Sequence, residues 1–98
     1  MEDQYNDRAL NMKVMLTWTI ALERYDDVIK YFLAGKEKIP KGLKLVGRWH
    51  SASHGWALLE ADDVPTVYKF TDQWESMIRF VVTPVMDDAE AAAILQSK

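Results

Sequence analysis

The chain carries the same order of secondary structure twice: a strand, then a helix, then a second strand. The strands and helices are predicted at residues 13–19, 22–34, 43–50, 55–60, 63 onwards and 79–85. The order βαββαβ predicts an α+β, ferredoxin-like domain. In such a domain one four-stranded antiparallel sheet, in the order 4-1-3-2, carries both helices on the same face.

The first strand has two uncharged faces. Val14, Leu16 and Trp18 point one way and Met15 and Thr17 point the other. We expect both faces to be buried, which suits a central strand. Because the helices cover only one face, the other needs a partner. A 98-residue chain without cysteine, with 49% hydrophobic residues and four tryptophans, can gain buried area by forming a homodimer.

The length of the chain is that of one domain. We expect a flexible leader over residues 1–11 and a single folded domain over residues 12–98. Asp62 or Asp63 is expected to cap the second helix. Near the end, Asp87 or Asp88 is expected to cap a short alanine-rich helix that packs against the body or against a partner subunit.

Composition and sequence pattern argue against several classes of function. The net charge of −3 does not indicate nucleic-acid binding. No apolar run approaches the ~20 residues of a membrane span, and no secretory signal is apparent, so we expect a cytoplasmic protein. His50 and His54 flank a β-turn, where their spacing does not favour a shared metal, so neither a metal site nor a cofactor is predicted.

A hairpin is predicted around the polar turn at residues 51–54. The expected cross-strand pairs are His50 with Gly55, Trp49 with Trp56, Gly47 with Leu58, and Leu45 with Glu60. This register puts Arg48 and His50 on one face of the sheet and Trp49 and Trp56 on the other.

Four segments of the chain carry a family resemblance. They are Met-Lys-Val-Met-Leu-Thr-Trp-Thr-Ile (12–20), Gly-Arg-Trp-His-Ser (47–51), Glu-Ala-Asp-Asp (60–63) and Thr-Pro-Val-Met-Asp-Asp (83–88). Together they resemble a family of small bacterial proteins that share a domain of unknown function. The resemblance, over about residues 12–95, implies a dimeric α+β barrel with a cavity between sheet and helices, and it brings no assigned reaction. Enzymes and ligand-binding domains share that architecture, which does not decide the chemistry.

Five side chains are candidates for binding a ligand, and they are Trp18, Arg48, His50, Trp56 and Tyr68. A buried Arg48 guanidinium needs an anion, which Glu60, Glu75 or a bound carboxylate could supply. The tryptophans either line an aromatic pocket or fill the core and the dimer interface. His50 and Tyr68 are the candidates for proton transfer.

Three hypotheses of function follow. The first is a homodimer that binds a small aromatic or acidic molecule between sheet and helices. The second is a cofactor-free enzyme of the monooxygenase or isomerase kind. The third is a non-catalytic structural or interaction module that meets an acidic partner through Lys36, Lys38 and Lys41. The sequence does not decide whether the protein is an enzyme.

Overall fold

The computed structural model describes residue 10 and residues 12–97. The strands are β1 (Met12–Ile20), β2 (Leu43–Ser51), β3 (His54–Ala61) and β4 (Ile78–Val85). The helices are α1 (Tyr25–Leu33), α2 (Val64–Asp72) and α3 (Asp88–Gln96), with a 3-10 turn at Leu22–Arg24 before α1. The flexible leader expected over residues 1–11 lies outside the described part of the chain, except for residue 10.

The four strands form one antiparallel sheet in the order β2-β3-β1-β4. This is the predicted ferredoxin-like order, so that prediction is confirmed. β4 is an edge strand, as Pro84 requires, since proline has no N–H to donate to a further strand.

The core lies between the inner face of the sheet and the helices α1 and α2. On the two central strands, Val14 and Leu16 of β1 and Leu59 of β3 are completely buried. Val28 of α1 and Val67 of α2 pack against them from the helix side. The strict alternation along β1 therefore divides the strand between an inner apolar face and an outer face that is half-buried at Met15 and Thr17.

Aspartates fix the first turns of α2 and α3. The Asp63 side chain accepts hydrogen bonds from the backbone N–H of Thr66 at 3.0 Å and from its hydroxyl at 2.6 Å. These bonds stabilise the carboxylate and lower the pKa of Asp63. Asp87 caps α3 in a reciprocal capping box with Glu90. Of the expected alternatives, Asp63 and Asp87 are the caps.

The buried face of α2 agrees with the sequence pattern in part. Helical spacing favours a buried stripe of Val64, Val67, Tyr68, Thr71 and Trp74. Val67, Thr71 and Trp74 are buried, but Val64 is 50% and Tyr68 48% exposed. Thr66 and Phe70 take inward positions instead. A threonine can replace an apolar residue at this point because its hydroxyl is already paired with Asp63, which removes the cost of burying it.

The β2–β3 hairpin follows the predicted register from the turn as far as the pair of Gly47 and Leu58. Beyond that point the predicted pair of Leu45 with Glu60 is wrong, since Leu45 pairs with Leu59. A β-bulge at Val46 inserts one extra residue into β2. Leu45 thus joins the inner face although it lies three positions from the inward-facing Arg48, an odd spacing that would put it on the outer face of a regular strand.

The C-terminal helix α3 has no buried residue. Lys13 on the outer side of β1 holds its first turn through ion pairs with Asp87 at 3.3 Å and Glu90 at 3.1 Å. Within its own chain α3 is thus attached by these ion pairs and not by a buried apolar face, and its packing against a partner subunit stays a prediction. None of the helices in the described residues is long and apolar enough to cross a membrane.

Gly55 makes room for Trp18, its cross-strand partner. A Cβ at position 55 would overlap with the indole of Trp18, which is only 8% exposed and makes edge contacts with the rings of His50 and Phe80 that a shift would break. We expect Gly55→Ala to lower the free energy of unfolding by about 1–3 kcal/mol, as overpacking of a core does. Urea denaturation measures the loss.

Gly47→Ala is the matched control on the same hairpin. A Cβ there would lie 2.6 Å from Trp49, but that indole is 57% exposed in the single chain and can change rotamer without disturbing the core. The control should cost less than Gly55→Ala, and equal costs would contradict the account of Trp18.

Candidate ligand-binding cavity

A cavity of ≈ 320 Å³ lies between α1, the inner face of the sheet and the end of α2. Its walls are mostly apolar and aromatic. The apolar lining consists of Trp18, Ile20, Val28, Ile29, Phe32, Leu33, Ala52, Phe70, Trp74, Ile78 and Phe80, with Tyr25 beside them. Its size falls within the range of small-molecule pockets, which starts at about 300 Å³.

The cavity exists because α1 does not pack tightly on the sheet. Of the nine residues of α1 only Val28 is buried. Ile29 remains 36% and Phe32 40% exposed, and both line the cavity. The helix therefore covers an open space instead of closing the core.

Three side chains that carry charge or an imidazole reach the cavity within the described chain, and they are Glu37, Arg48 and His50. Arg48 Nη1 donates to both carboxylate oxygens of Glu37, at 2.9 and 2.8 Å. The indole Nε1 of Trp74 donates to the same carboxylate at 2.9 Å. The side chains of Arg48 and Glu37 are only 20% and 12% exposed, so this ion pair is largely removed from water.

Glu37 lies in the connection from α1 to β2, and that connection is fastened to the end of α2. Gln73 accepts a hydrogen bond from the backbone N–H of Lys38 at 2.8 Å and donates one to the Lys38 carbonyl at 2.7 Å. With the bond from Trp74 to Glu37, two consecutive residues after α2 hold two consecutive residues of the loop. The carboxylate is therefore held in place before any ligand arrives.

His50 lies at the rim of the cavity among aromatic rings. Its ring makes edge contacts with Trp18, at 6.0 Å between centroids, and with Phe32, at 5.5 Å. The guanidinium of Arg48 lies over the Phe32 ring, 5.3 Å from its centroid, in cation–π geometry. Phe32 thus contacts both polar side chains that the sheet contributes.

The fold distributes the five sequence candidates over three places. Trp18, Arg48 and His50 meet at the cavity. Trp56 is on the outer face of the sheet and lines a separate depression of ≈ 360 Å³. Tyr68 lines a third one, of ≈ 750 Å³, between α2 and β4. The two candidates for proton transfer, His50 and Tyr68, therefore do not face the same space.

The partner of Arg48 was not foreseen. Glu60 and Glu75 were the expected protein anions, and Glu37 takes that role. Glu60 is on the opposite face of the sheet, where it pairs in register with Lys13 and Lys44. The one signal for Glu37 in the sequence is that a single carboxylate interrupts the run of lysines after α1.

The cavity does not contain a grouping of metal-binding side chains. Within residue 10 and residues 12–97, no three histidine, aspartate or glutamate side chains are placed to hold a metal ion.

The Arg48–Glu37 pair is expected to be energetically coupled because both groups are largely buried. Arg48→Gln and Glu37→Gln should each lower the free energy of unfolding by about 1–3 kcal/mol, since each leaves a charge unpaired. The double variant should lose less than the sum of the two. A double-mutant cycle of urea denaturation measures the coupling, expected at about 1 kcal/mol or more.

The exposed Arg24–Asp27 pair provides the comparison, with 40% and 53% side-chain exposure and an N–O distance of 3.1 Å. Water screens such pairs, so Arg24→Gln and Asp27→Asn should couple by less than about 0.5 kcal/mol. A coupling at Arg48 and Glu37 as small as at this surface pair would contradict the account.

Residues 12–98 match the protein family described as Domain of unknown function (DUF3303). A search of the curated proteins finds no match.

Proposed function

For a chain that belongs to the DUF3303 family, whose function is unknown, we propose that the protein binds a small aromatic or acidic molecule in the cavity between sheet and helices. The observation that carries the proposal is the convergence of a preformed polar network on one end of a mostly apolar cavity. Ligand sites combine these two features: apolar walls provide affinity, and a few fixed polar groups provide orientation.

The polar groups support binding because they are ordered without a ligand. Glu37 accepts three hydrogen bonds, from Arg48 and Trp74, and its loop is fastened by Gln73. A site that is already ordered loses little conformational entropy when a ligand enters. The aromatic rings of Trp18, Phe32 and Phe80 offer flat surfaces beside it.

Two of the four indoles line the cavity, and this allows a direct test of where a ligand binds. Trp18 and Trp74 line the cavity, whereas Trp49 and Trp56 face the outer side of the sheet. Naphthol, as an aromatic probe, should shift the indole N–H signals of Trp18 and Trp74 in ¹H–¹⁵N correlation spectra. Single Trp→Phe variants assign the four signals.

The outer indoles are the internal control for this titration. The signals of Trp49 and Trp56 should move much less than those of the cavity pair. Saturable shifts confined to Trp49 and Trp56 would place the binding elsewhere and refute the proposal.

We further propose that the protein works as a homodimer joined through the outer face of its sheet. This face carries apolar side chains whose exposure is unusual for a monomer of this size. Trp49 is 57%, Trp56 42%, Val81 58% and Val46 44% exposed. Trp49 and Trp56 are a directly opposed cross-strand pair, which makes their indoles neighbours on this surface.

Light scattering after gel filtration tests the dimer. We expect twice the 11.3 kDa chain mass at micromolar concentration. Trp49→Glu should shift the mass toward the monomer, because it places a charge in the centre of an apolar interface. Leu33→Glu, at a position of α1 that is 76% exposed and on the other side of the molecule, should leave the mass unchanged. A monomeric wild-type protein at that concentration would refute this arrangement.

A further inference from the structure

The charge balance of the cavity bears on which ligand it can take. Arg48 and Glu37 contribute opposite charges, and they are joined at 2.8 Å in a site largely withdrawn from water. The guanidinium that an acidic ligand would seek is therefore already neutralised by the protein. An anion that approached Arg48 would also approach the Glu37 carboxylate, and repulsion between like charges is strong where water is excluded.

The same network leaves hydrogen-bonding capacity for an uncharged group. Only Nη1 of Arg48 is engaged with Glu37, and a guanidinium has five N–H donors on three nitrogens. The His50 imidazole adds one nitrogen that donates and one that accepts, and its contacts within the described residues are with aromatic rings. A carbonyl or hydroxyl group can use these sites without bringing a charge out of water.

We infer that the cavity selects an uncharged aromatic molecule with a carbonyl or hydroxyl group over the corresponding carboxylate. This inference rests on the proposed ligand-binding function and narrows it to one of its two ligand classes. Glu37 is the specificity-determining residue, since its carboxylate cancels the attraction of Arg48 for anions. Aromatic rings of the ligand lie against Trp18 and Phe32, and its polar group meets Arg48 and His50.

Naphthamide and naphthoate are the matched probes for this inference. They have the same ring system and nearly the same shape, and they differ in the charge of one group. Isothermal titration calorimetry at about pH 8 compares them, because a carboxylic acid is fully ionised there and the amide is neutral. We expect the wild-type protein to bind naphthamide about tenfold or more tightly than naphthoate, which corresponds to at least about 1.4 kcal/mol.

Glu37→Gln keeps the shape of the side chain and an oxygen that can accept from Arg48 and Trp74, but it leaves the Arg48 charge uncompensated. The preference for naphthamide should fall by about tenfold or reverse in this variant. Glu23→Gln changes the net charge of the chain by the same amount at an exposed residue that does not line the cavity. It should keep the wild-type preference, which separates a local effect from the overall charge.

The outcomes distinguish the inference from the function on which it rests. If the wild-type protein binds neither probe, the proposed ligand-binding function fails. If it binds naphthoate as tightly as naphthamide or more tightly, the function stands and the inference is overturned. A wild-type preference for naphthamide that Glu37→Gln leaves unchanged overturns the role of Glu37.

If Glu37→Gln does not fold, Arg48→Gln decides the role of charge. This variant leaves the Glu37 carboxylate without its counter-charge, so binding of naphthoate should weaken more than binding of naphthamide. Equal weakening of both probes overturns the inference.

Discussion

The burial of one face of β1 is the constraint on which the rest of the structure depends. Val14 and Leu16 are inaccessible to water, and Trp18 and Ile20 nearly so. Strands β3 and β4 pair with the two edges of β1, and the helices must cover its inner face. They do so closely around Val14 and Leu16 and loosely around Trp18 and Ile20. The cavity lies at this second, looser end, so the same strand supplies both the core and the floor of the site.

The polar end of the cavity depends on contacts between distant parts of the chain. Glu37 comes from the connection between α1 and β2, Arg48 from β2, and Trp74 from the end of α2. The hydrogen bonds that hold these three side chains all join different elements. The Tyr31 ring against Trp74, with 4.7 Å between ring centroids, adds a further contact from α1. The cavity is therefore bordered by the sheet, by α1 and α2, and by the connection from α1 to β2.

Sequence reasoning predicted the features that depend on local pattern. The βαββαβ order of elements predicted the strand order, and the polar turn at residues 51–54 predicted most of the hairpin register. The same register correctly placed Arg48 and His50 on one face and Trp49 and Trp56 on the other, because it was counted outward from the turn.

What was missed depends on tertiary contacts. Glu37 is separated from Arg48 by 11 positions and from Trp74 by 37, and no periodicity links them. Which side of α2 is buried depends in part on the hydrogen bond from Thr66 to Asp63, which allows Thr66 to face the core. Hydrophobicity alone favoured Tyr68 for an inward position. The bulge at Val46 has no local signature, since valine is also an ordinary strand residue.

The bulge at Val46 determines which residues of β2 face the helices. Before Val46, odd-numbered residues face the helices, and after it even-numbered residues do, so the strand changes phase at its middle. Leu43 and Leu45 can thus belong to the core while Arg48 and His50 belong to the cavity. Without the bulge, a regular alternation counted from Leu43 would turn Trp49 inward and Arg48 outward, and would exchange a charged cavity wall for an apolar one with the same side chains. The polarity of the cavity therefore depends on the bulge at Val46 as well as on which residues the strand contains.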